Sequence, residues 1–247
     1  MFKNIVEKML VVNRQYQVKD KDELNFLIDK SIKIFGNECD LNWIDTSLIT
    51  DMSKLFYNMK DFNGHIEKWD VSNVENMPDM FYNANSFNQP IGDWNVSNVT
   101  DMRCMFDCAN SFNQPIGNWD VGNVENMSGM FWVATSFNQP LNNWNVSNVK
   151  YMNHMFSVAT SFNQPIDNWN INNVKEMNSM FQNAKSFNQP LGNWNVNSVK
   201  DIDFMFYNAE SFNQNISSWN IINVKHRSSI IFFNCPIKAK YKPKFKK

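Results

Sequence analysis

The sequence is poor in the residues from which most active sites are built. It has only 7 glycines, 4 cysteines and 3 histidines among 247 residues. No glycine-rich phosphate loop, nucleophile elbow or metal-ligand spacing occurs in it. The histidines His65, His154 and His226 have no recurring acidic partner. Because catalysis needs titratable groups that converge in a pocket, the sequence predicts a protein that is not an enzyme and binds no cofactor or metal.

Long apolar runs and a disulfide framework are also missing. No run of about 18 apolar residues occurs, so we expect no membrane-spanning helix. The first residues carry Lys3, Glu7 and Lys8 where a signal peptide would be apolar, so no leader is visible. Four cysteines are too few for a disulfide-stabilised scaffold of this size. They are Cys39, Cys104, Cys108 and Cys235.

The chain has instead one 25-residue unit that occurs eight times. The unit begins at Leu41, Ile66, Ile91, Ile116, Leu141, Ile166, Leu191 and Ile216. A fixed period of about 20–50 residues is typical of a solenoid, in which each unit must stack on its neighbours to bury its apolar face. We therefore predict an N-terminal helical cap at residues 1–40, one solenoid at 41–237 and a basic tail at 238–247.

The apolar residues of each unit follow two periods, as the unit at 141–165 illustrates. Trp144 and Val146 alternate with polar neighbours, which predicts a short strand. The next apolar residues step by three and four: Val149, Met152, Met155, Phe156 and Ala159. Such steps predict about two to three turns of helix. Because parallel strand–helix–strand crossovers are nearly always right-handed, the expected fold class is α/β, a right-handed solenoid with one strand and one helix per repeat.

The N-terminal region has the features of a cap for the first repeat. Helical spacing over 2–12 predicts a short amphipathic helix, and 15–18 predicts a short strand. Asp20 and Glu23 are spaced as in a capping box before a second helix, which Gly36 is placed to end. A solenoid needs such a cover because the end of its stacked core would otherwise meet water.

The C-terminal end is expected to differ from the other repeats. In strict register the last unit places Arg227 and Asn234 where methionine and alanine belong, and it is expected to fold over the open end of the core. The tail at 238–247 holds six lysines and no acid. We expect a solvated end, and the alternative is a segment that binds nucleic acid or another anionic surface.

The repeat resembles a known family. Each unit reads W-(N/D)-V-S-N-V followed by M-x-x-M-F-x-x-A-x-S-F-N-Q-P, and its opening LNNWNV has the apolar positions of a leucine-rich repeat. This pattern resembles the BspA-like leucine-rich-repeat surface proteins, whose 25-residue unit is also called the mycoplasma lipoprotein repeat. The resemblance implies a leucine-rich-repeat-like solenoid, often displayed on a bacterial cell surface, with adhesion or host-protein binding attributed to some members.

A binding site is predicted where the middle repeats place apolar residues that their neighbours lack. Trp132, Val133 and Val158 occupy neighbouring columns of two successive repeats, with Tyr151 close by. Contiguous exposed apolar area often marks a partner site. The alternative is local packing against the next helix. These four residues are the predicted partner-binding site.

A second feature is a column of lysines in the C-terminal half, Lys150, Lys175, Lys200 and Lys225. This column is compatible with an anionic partner, although the nearby acids Glu176 and Asp201 partly neutralise it. The sequence as a whole favours a non-enzymatic protein-interaction module that binds another protein or a surface ligand. The alternative is a structural spacer or coat component without a specific ligand, which the uniform polar residues of the predicted sheet face would also suit.

Overall fold

The computed structural model describes residues 15–225 and 229–244. Its elements in chain order are β1 (Tyr16–Gln17), α1 (Lys21–Phe35), β2 (Ile44–Asp45) and two 3-10 helices at Ser229–Phe232 and Ala239–Tyr241. Strands β1 and β2 pair in parallel, with Tyr16 opposite Ile44. Within the described ranges, no helix is both long enough and apolar enough to cross a bilayer.

Helix α1 lies where the sequence predicted it. The Asp20 side chain accepts a hydrogen bond from the Glu23 backbone N–H at 2.9 Å, which satisfies an N–H that the first turn leaves free. Gly36 ends the helix with φ 85°, a value that favours glycine. The helix that follows Asp20 and ends at Gly36, and the strand within 15–18, are confirmed. The helix predicted over 2–12 lies outside the described residues. The buried face of α1 consists of Leu24, Leu27 and Ile28.

Successive repeats lie directly on one another. Parallel bridges join residues 25 apart along one column: Asp51, Asn76, Asp101, Asn126, Tyr151, Glu176 and Asp201. The backbone beside this column is bonded to the next repeat as well. In the repeat at 141–165, four N–H groups donate to carbonyls of the following repeat over 2.7–3.0 Å, those of Met152, His154, Phe156 and Val158. Each repeat is therefore held by its neighbours through backbone hydrogen bonds.

The helix predicted within each repeat is wrong, because that segment is a series of turns. Met155, Ser157 and Ala159 donate their N–H groups to the carbonyls three residues earlier, as in β-turns. His154 and Val158 have φ values of 58° and 59°, which no α-helix contains. An α-helix would keep its hydrogen bonds within the segment, whereas here alternate N–H groups bond to the next repeat. In this series of turns the buried apolar residues are spaced by three and four residues, as they would be in a helix.

The strand predicted in each repeat forms in the first repeat, as β2, and not in the later repeats. Trp144 donates its N–H to the carbonyl of Leu141, so this segment is a turn, and the parallel bridge of the repeat falls at Tyr151 instead. In the described residues, the strands are confined to the pair that joins the cap to the first repeat. The handedness of the stack and its leucine-rich-repeat-like class remain predictions.

Aromatic rings fill the core. The phenylalanine spine consists of fully buried residues one repeat apart: Phe56, Phe81, Phe106, Phe131, Phe156, Phe181 and Phe206. Phe131 stacks on Phe156 of the next repeat at 5.6 Å between centroids, and on Phe137 of its own repeat at 4.0 Å. Each ring therefore contacts rings above and below it, which no single repeat could provide.

The recurring tryptophans from Trp69 to Trp219 each donate a hydrogen bond from the indole N–H. Trp144 lies one repeat from Trp169, and the two rings stack at 6.4 Å between centroids. Its Nε1–H donates to the carbonyl of Ile116 in the preceding repeat at 3.0 Å. A buried N–H without a partner would cost free energy, so this bond explains how tryptophan is tolerated inside the stack.

Asparagine and glutamine link the repeats on the outside of this core. Asn113 Oδ1 accepts from the Asn138 N–H at 2.9 Å, and Gln139 Nε2 donates to the Asn113 carbonyl at 3.0 Å. In a second column, Asn148 Nδ2 donates to the Gly122 carbonyl at 2.6 Å. Equivalent bonds recur between other repeats, so these asparagine and glutamine side chains stabilise the stack.

The last repeat contains a local shift of register. Phe206 stacks on Phe232, which is 26 residues away instead of 25, at 5.8 Å between centroids. The normal spacing returns by Lys238, whose N–H donates to Asn213 Oδ1 at 3.0 Å. The prediction of eight repeats in strict register is therefore corrected at the C-terminal end. The extra residue lets Phe232 cover the open end of the phenylalanine spine.

The beginning of the basic tail packs on the last repeat. Tyr241 accepts a hydrogen bond at its carbonyl from the Ile216 N–H at 3.0 Å, and Ile237 is buried. The expectation of a wholly solvated tail is wrong for 238–244, because apolar residues between the lysines contact the exposed end of the core. The positive side chains of this segment remain at the surface.

Candidate functional site

Each of the first seven repeats has two residues in the left-handed backbone region, and the second of them forms a partly exposed column. In the outer repeats this second position holds asparagine, at Asn58, Asn83, Asn183 and Asn208, each with φ between 54° and 62°. Asparagine adopts this conformation more readily than most residues. Its amide also bonds to the next one: Asn83 Nδ2 donates to Asn58 Oδ1 at 2.9 Å, and Asn208 Nδ2 donates to Asn183 Oδ1 at 2.9 Å. We call these residues the asparagine column.

The three middle repeats interrupt this column. Cys108, Val133 and Val158 occupy the same position there, with φ values of 58°, 56° and 59°. A β-branched residue in the left-handed region is an outlier, and such a conformation costs about 1–3 kcal/mol. Neither valine can form the side-chain hydrogen bond that asparagine forms. We call Cys108, Val133 and Val158 the central break.

Trp132 lies next to the central break and is 37% exposed. Its ring stacks on the His154 ring of the next repeat at 4.8 Å between centroids, with 28° between the planes. Burial lowers the pKa of His154. The imidazole is therefore neutral at pH 7, and the contact is a stack of two neutral rings. Trp132 is thus held in place on one side and open to a partner on the other.

The structure brings together three of the four predicted site residues. Val133 donates its N–H to the carbonyl of Ser157 at 2.8 Å, which places it beside Val158, and Trp132 contacts the same repeat through His154. Tyr151 lies on the parallel bridge column instead, and no ring contact joins it to Trp132 in the described part of the chain. The alternative of local packing is met in part, since Trp132 stacks on His154 of the next repeat, although turns and not a helix occupy this segment.

The sequence analysis missed two residues of this surface. Cys108 belongs to the central break, and its membership of the same column as the two valines was the available signal. Asp107 precedes it, is only 3% exposed, and lies in the column of Trp132. Burial raises the pKa of the Asp107 carboxyl to about 6, although a hydrogen bond from the Cys108 thiol opposes the shift. In the outer repeats, no carboxyl occupies this column.

The thiols near the break are not reactive groups. Burial, and then the charge of Asp107, raise the pKa of Cys104 and of Cys108 to about 12. Both thiols are therefore protonated at neutral pH, whereas nucleophilic attack and metal binding need the thiolate. Among the described residues, no group of three or more histidine, cysteine or acidic side chains is arranged to hold a metal.

A comparison with known protein families matches the repeats of this chain to one family. A family described as a mycoplasma protein of unknown function, DUF285, matches residues 27–144 and again 134–241. The two matches together span most of the chain and run from helix α1 to the tail. Neither a curated protein nor a solved structure matches it.

Proposed function

This chain belongs to the DUF285 family of mycoplasma proteins, and from that premise we propose that it is a non-enzymatic protein-interaction module. Its stacked repeats form a rigid scaffold of the leucine-rich-repeat-like solenoid type, similar to the BspA-like surface proteins. The scaffold presents the central break and Trp132 to a protein partner. Display at a cell surface, with a part in adhesion, follows from the same resemblance.

The observation that carries this proposal is the strained backbone of Val133 and Val158. Asparagine at these two positions would relieve strain and continue a side-chain ladder that already exists in the outer repeats. The chain has valine there in spite of a cost of about 1–3 kcal/mol for each residue. Strain of this kind collects at sites of function, where the side chain serves a purpose other than stability.

The chemistry of the surface favours a protein partner. Tryptophan is enriched among the residues that contribute most to protein–protein binding, since it buries a large area when a partner covers it. Trp132 has its ring already stacked on His154, so binding would cost little side-chain entropy. The two valines extend the apolar area onto the next repeat. The expected interface has Trp132 near its centre and polar residues around it.

The test compares two variants that change the same two columns in different repeats. Trp132→Ala with Val158→Ser removes the proposed site. Tyr57→Ala with Asn83→Ser is the matched control, three repeats away. Proteins captured from a cell-surface extract by the immobilised chain are identified for the wild type and for both variants. A partner that the first variant loses by about tenfold or more in affinity, and the control retains, would support the site.

If the protein is a structural spacer without a specific ligand, the opposite result is expected. A scaffold without a specific ligand would capture the same proteins before and after the substitutions at Trp132 and Val158. The same result would remove the central break as a binding site. Thermal unfolding of each variant must accompany the experiment, since lost binding counts only where the stack remains folded.

A further inference from the structure

Two equivalent grooves lie at opposite ends of one face of the stack. The N-terminal groove contains Thr50, Glu75 and Thr100, and the C-terminal groove contains Lys175, Lys200 and Lys225 in the same column. The cavity volumes are about 550 and 500 Å³. Because the repeats differ little elsewhere, the two grooves share a shape and differ in charge. We call the second one the lysine groove, with Asn173, Asn197 and Asn223 along its other side.

The lysines of this groove are held at the spacing of the repeats. The Lys200 N–H donates to the Lys175 carbonyl at 2.8 Å, and the Lys225 N–H donates to the Lys200 carbonyl at 3.0 Å. Strands bonded in this way lie about 4.8 Å apart. Three ammonium groups attached at this separation repel one another, and an anionic ligand would offset the repulsion.

None of these three ammonium groups forms an ion pair with a described residue. Lys150 in the preceding repeat shows the contrast, because its Nζ pairs with Glu125 at 2.6 Å. Glu176 lies next to Lys175 in the sequence and still does not pair with it. The basic charge of the lysine groove is therefore available to a ligand from outside the chain.

We propose that the lysine groove binds a linear acidic polysaccharide, with about one sugar per repeat. A polymer of uronic acids carries one carboxylate on each sugar, so carboxylates along the polymer can pair with the ammonium groups along the groove. Asn173 and Asn223 already donate their Nδ2 groups to carbonyls at 2.7 Å. Their Oδ1 atoms accept no hydrogen bond from a described residue and can accept bonds from sugar hydroxyls.

The groove does not suit single-stranded nucleic acid, the other common linear polyanion. Proteins that bind it stack the bases on aromatic side chains, which contributes about 1–3 kcal/mol per base. The residues that line the lysine groove are lysine, asparagine and serine, without an aromatic ring among them. Hydroxyl-rich sugars with regular negative charge match this lining better.

The probe is a hexamer of galacturonic acid, with its methyl ester as the uncharged control ligand. Titration calorimetry on the full chain should show binding of the acid that weakens as salt rises, and no comparable binding of the ester. Absence of binding by the acid at low salt would overturn the proposal, as would equal binding of the ester. Tighter binding of single-stranded RNA would show that the groove is specific for nucleic acid.

Two sets of substitutions locate the site. Lys175→Gln, Lys200→Gln and Lys225→Gln together should weaken binding about tenfold or more, because three exposed charge contacts are lost. Lys33→Gln, Lys60→Gln and Lys185→Gln remove the same charge from elsewhere and should change the affinity by no more than about twofold. Equal weakening by both sets would mean that net charge, not the groove, attracts the ligand.

A reciprocal variant tests the groove by gain of binding. Thr50→Lys, Glu75→Lys and Thr100→Lys should give the N-terminal groove the same column of charge and raise the stoichiometry from one hexamer to two. An unchanged stoichiometry would contradict the proposal.

This site is separate from the central break, so the lysine-groove variant should still capture a protein partner through Trp132. Failure of either proposal is therefore distinguishable from failure of the other.

Discussion

The phenylalanine spine and the asparagine column run side by side through the same repeats, yet only the second one varies. Phe131 and its equivalents are fully buried between rings of the neighbouring repeats, so any smaller side chain would leave a cavity. The asparagine column is partly exposed, and three repeats in the middle replace it with Cys108, Val133 and Val158. The comparison teaches that the core determines the stack and leaves function to the exposed turns.

The largest effect is expected in the spine. Phe131→Ala should destabilise the fold by about 3–5 kcal/mol, because a fully buried ring is lost from contact with Phe106, Phe137 and Phe156. Urea unfolding followed by tryptophan fluorescence measures the change. Trp132→Ala, one residue away but exposed, is the matched control and should cost less than about 1 kcal/mol. A similar loss of unfolding free energy in both variants would contradict the expectation that the buried spine stabilises the fold more than the exposed turn does.

A smaller effect is expected from the buried carboxyl beside the central break. Because burial raises the pKa of Asp107 to about 6, the folded state binds its proton more tightly than the unfolded state does. The stability of the wild type should therefore fall as pH rises from about 4 to about 6, by about 2–3 kcal/mol relative to Asp107→Asn. Above that window the variant should be the more stable protein.

Unfolding free energies of both proteins, measured at several pH values between 3 and 8, test this expectation. The difference between the two proteins isolates Asp107 from the other carboxyls, which titrate in both. A difference that does not change with pH would show that Asp107 is hydrated in the folded protein. Asp93→Asn is a suitable control, because this carboxyl is exposed.

The smallest effect concerns strain in the asparagine column. Val158→Asn should stabilise the fold by about 1 kcal/mol, since asparagine tolerates the left-handed backbone and can bond to Asn183. Asn83→Val is the mirror substitution and should destabilise by about 1–2 kcal/mol, because strain is added and the bond to Asn58 is lost. Thermal unfolding of both variants provides the comparison. Loss of stability in Val158→Asn would mean that valine suits its backbone there.

Helix α1 and the repeats show why one region could be predicted and the other could not. Asp20, Glu23 and Gly36 are local signals, and each acts on backbone groups of the same helix. The repeats carry helical spacing too, but their backbone bonds extend to the neighbouring repeats. A signal against helix was present: asparagine recurs in the middle of the supposed helix, where it is a poor helix former and a common left-handed residue.

The candidate site was predicted in part for the same reason. Reading the repeats in columns found Trp132, Val133 and Val158, because exposed columns differ visibly from repeat to repeat. Tyr151 was included on the assumption of a helix, where three- and four-residue steps share a face. Cys108 was missed because it was considered only with the other cysteines and not with the valines of its column. The positive φ values that unite the central break are properties of the stacked backbone.

The sequence alone determined the period of 25 residues, the residues that lie inside and the capping helix. These follow from composition and from contacts between near neighbours in the chain. The tertiary structure decided the path of the backbone within each repeat, since consecutive turns and an α-helix bury the same apolar spacing. The hydrogen bonds between repeats distinguish the two, and they form only when one repeat lies on another.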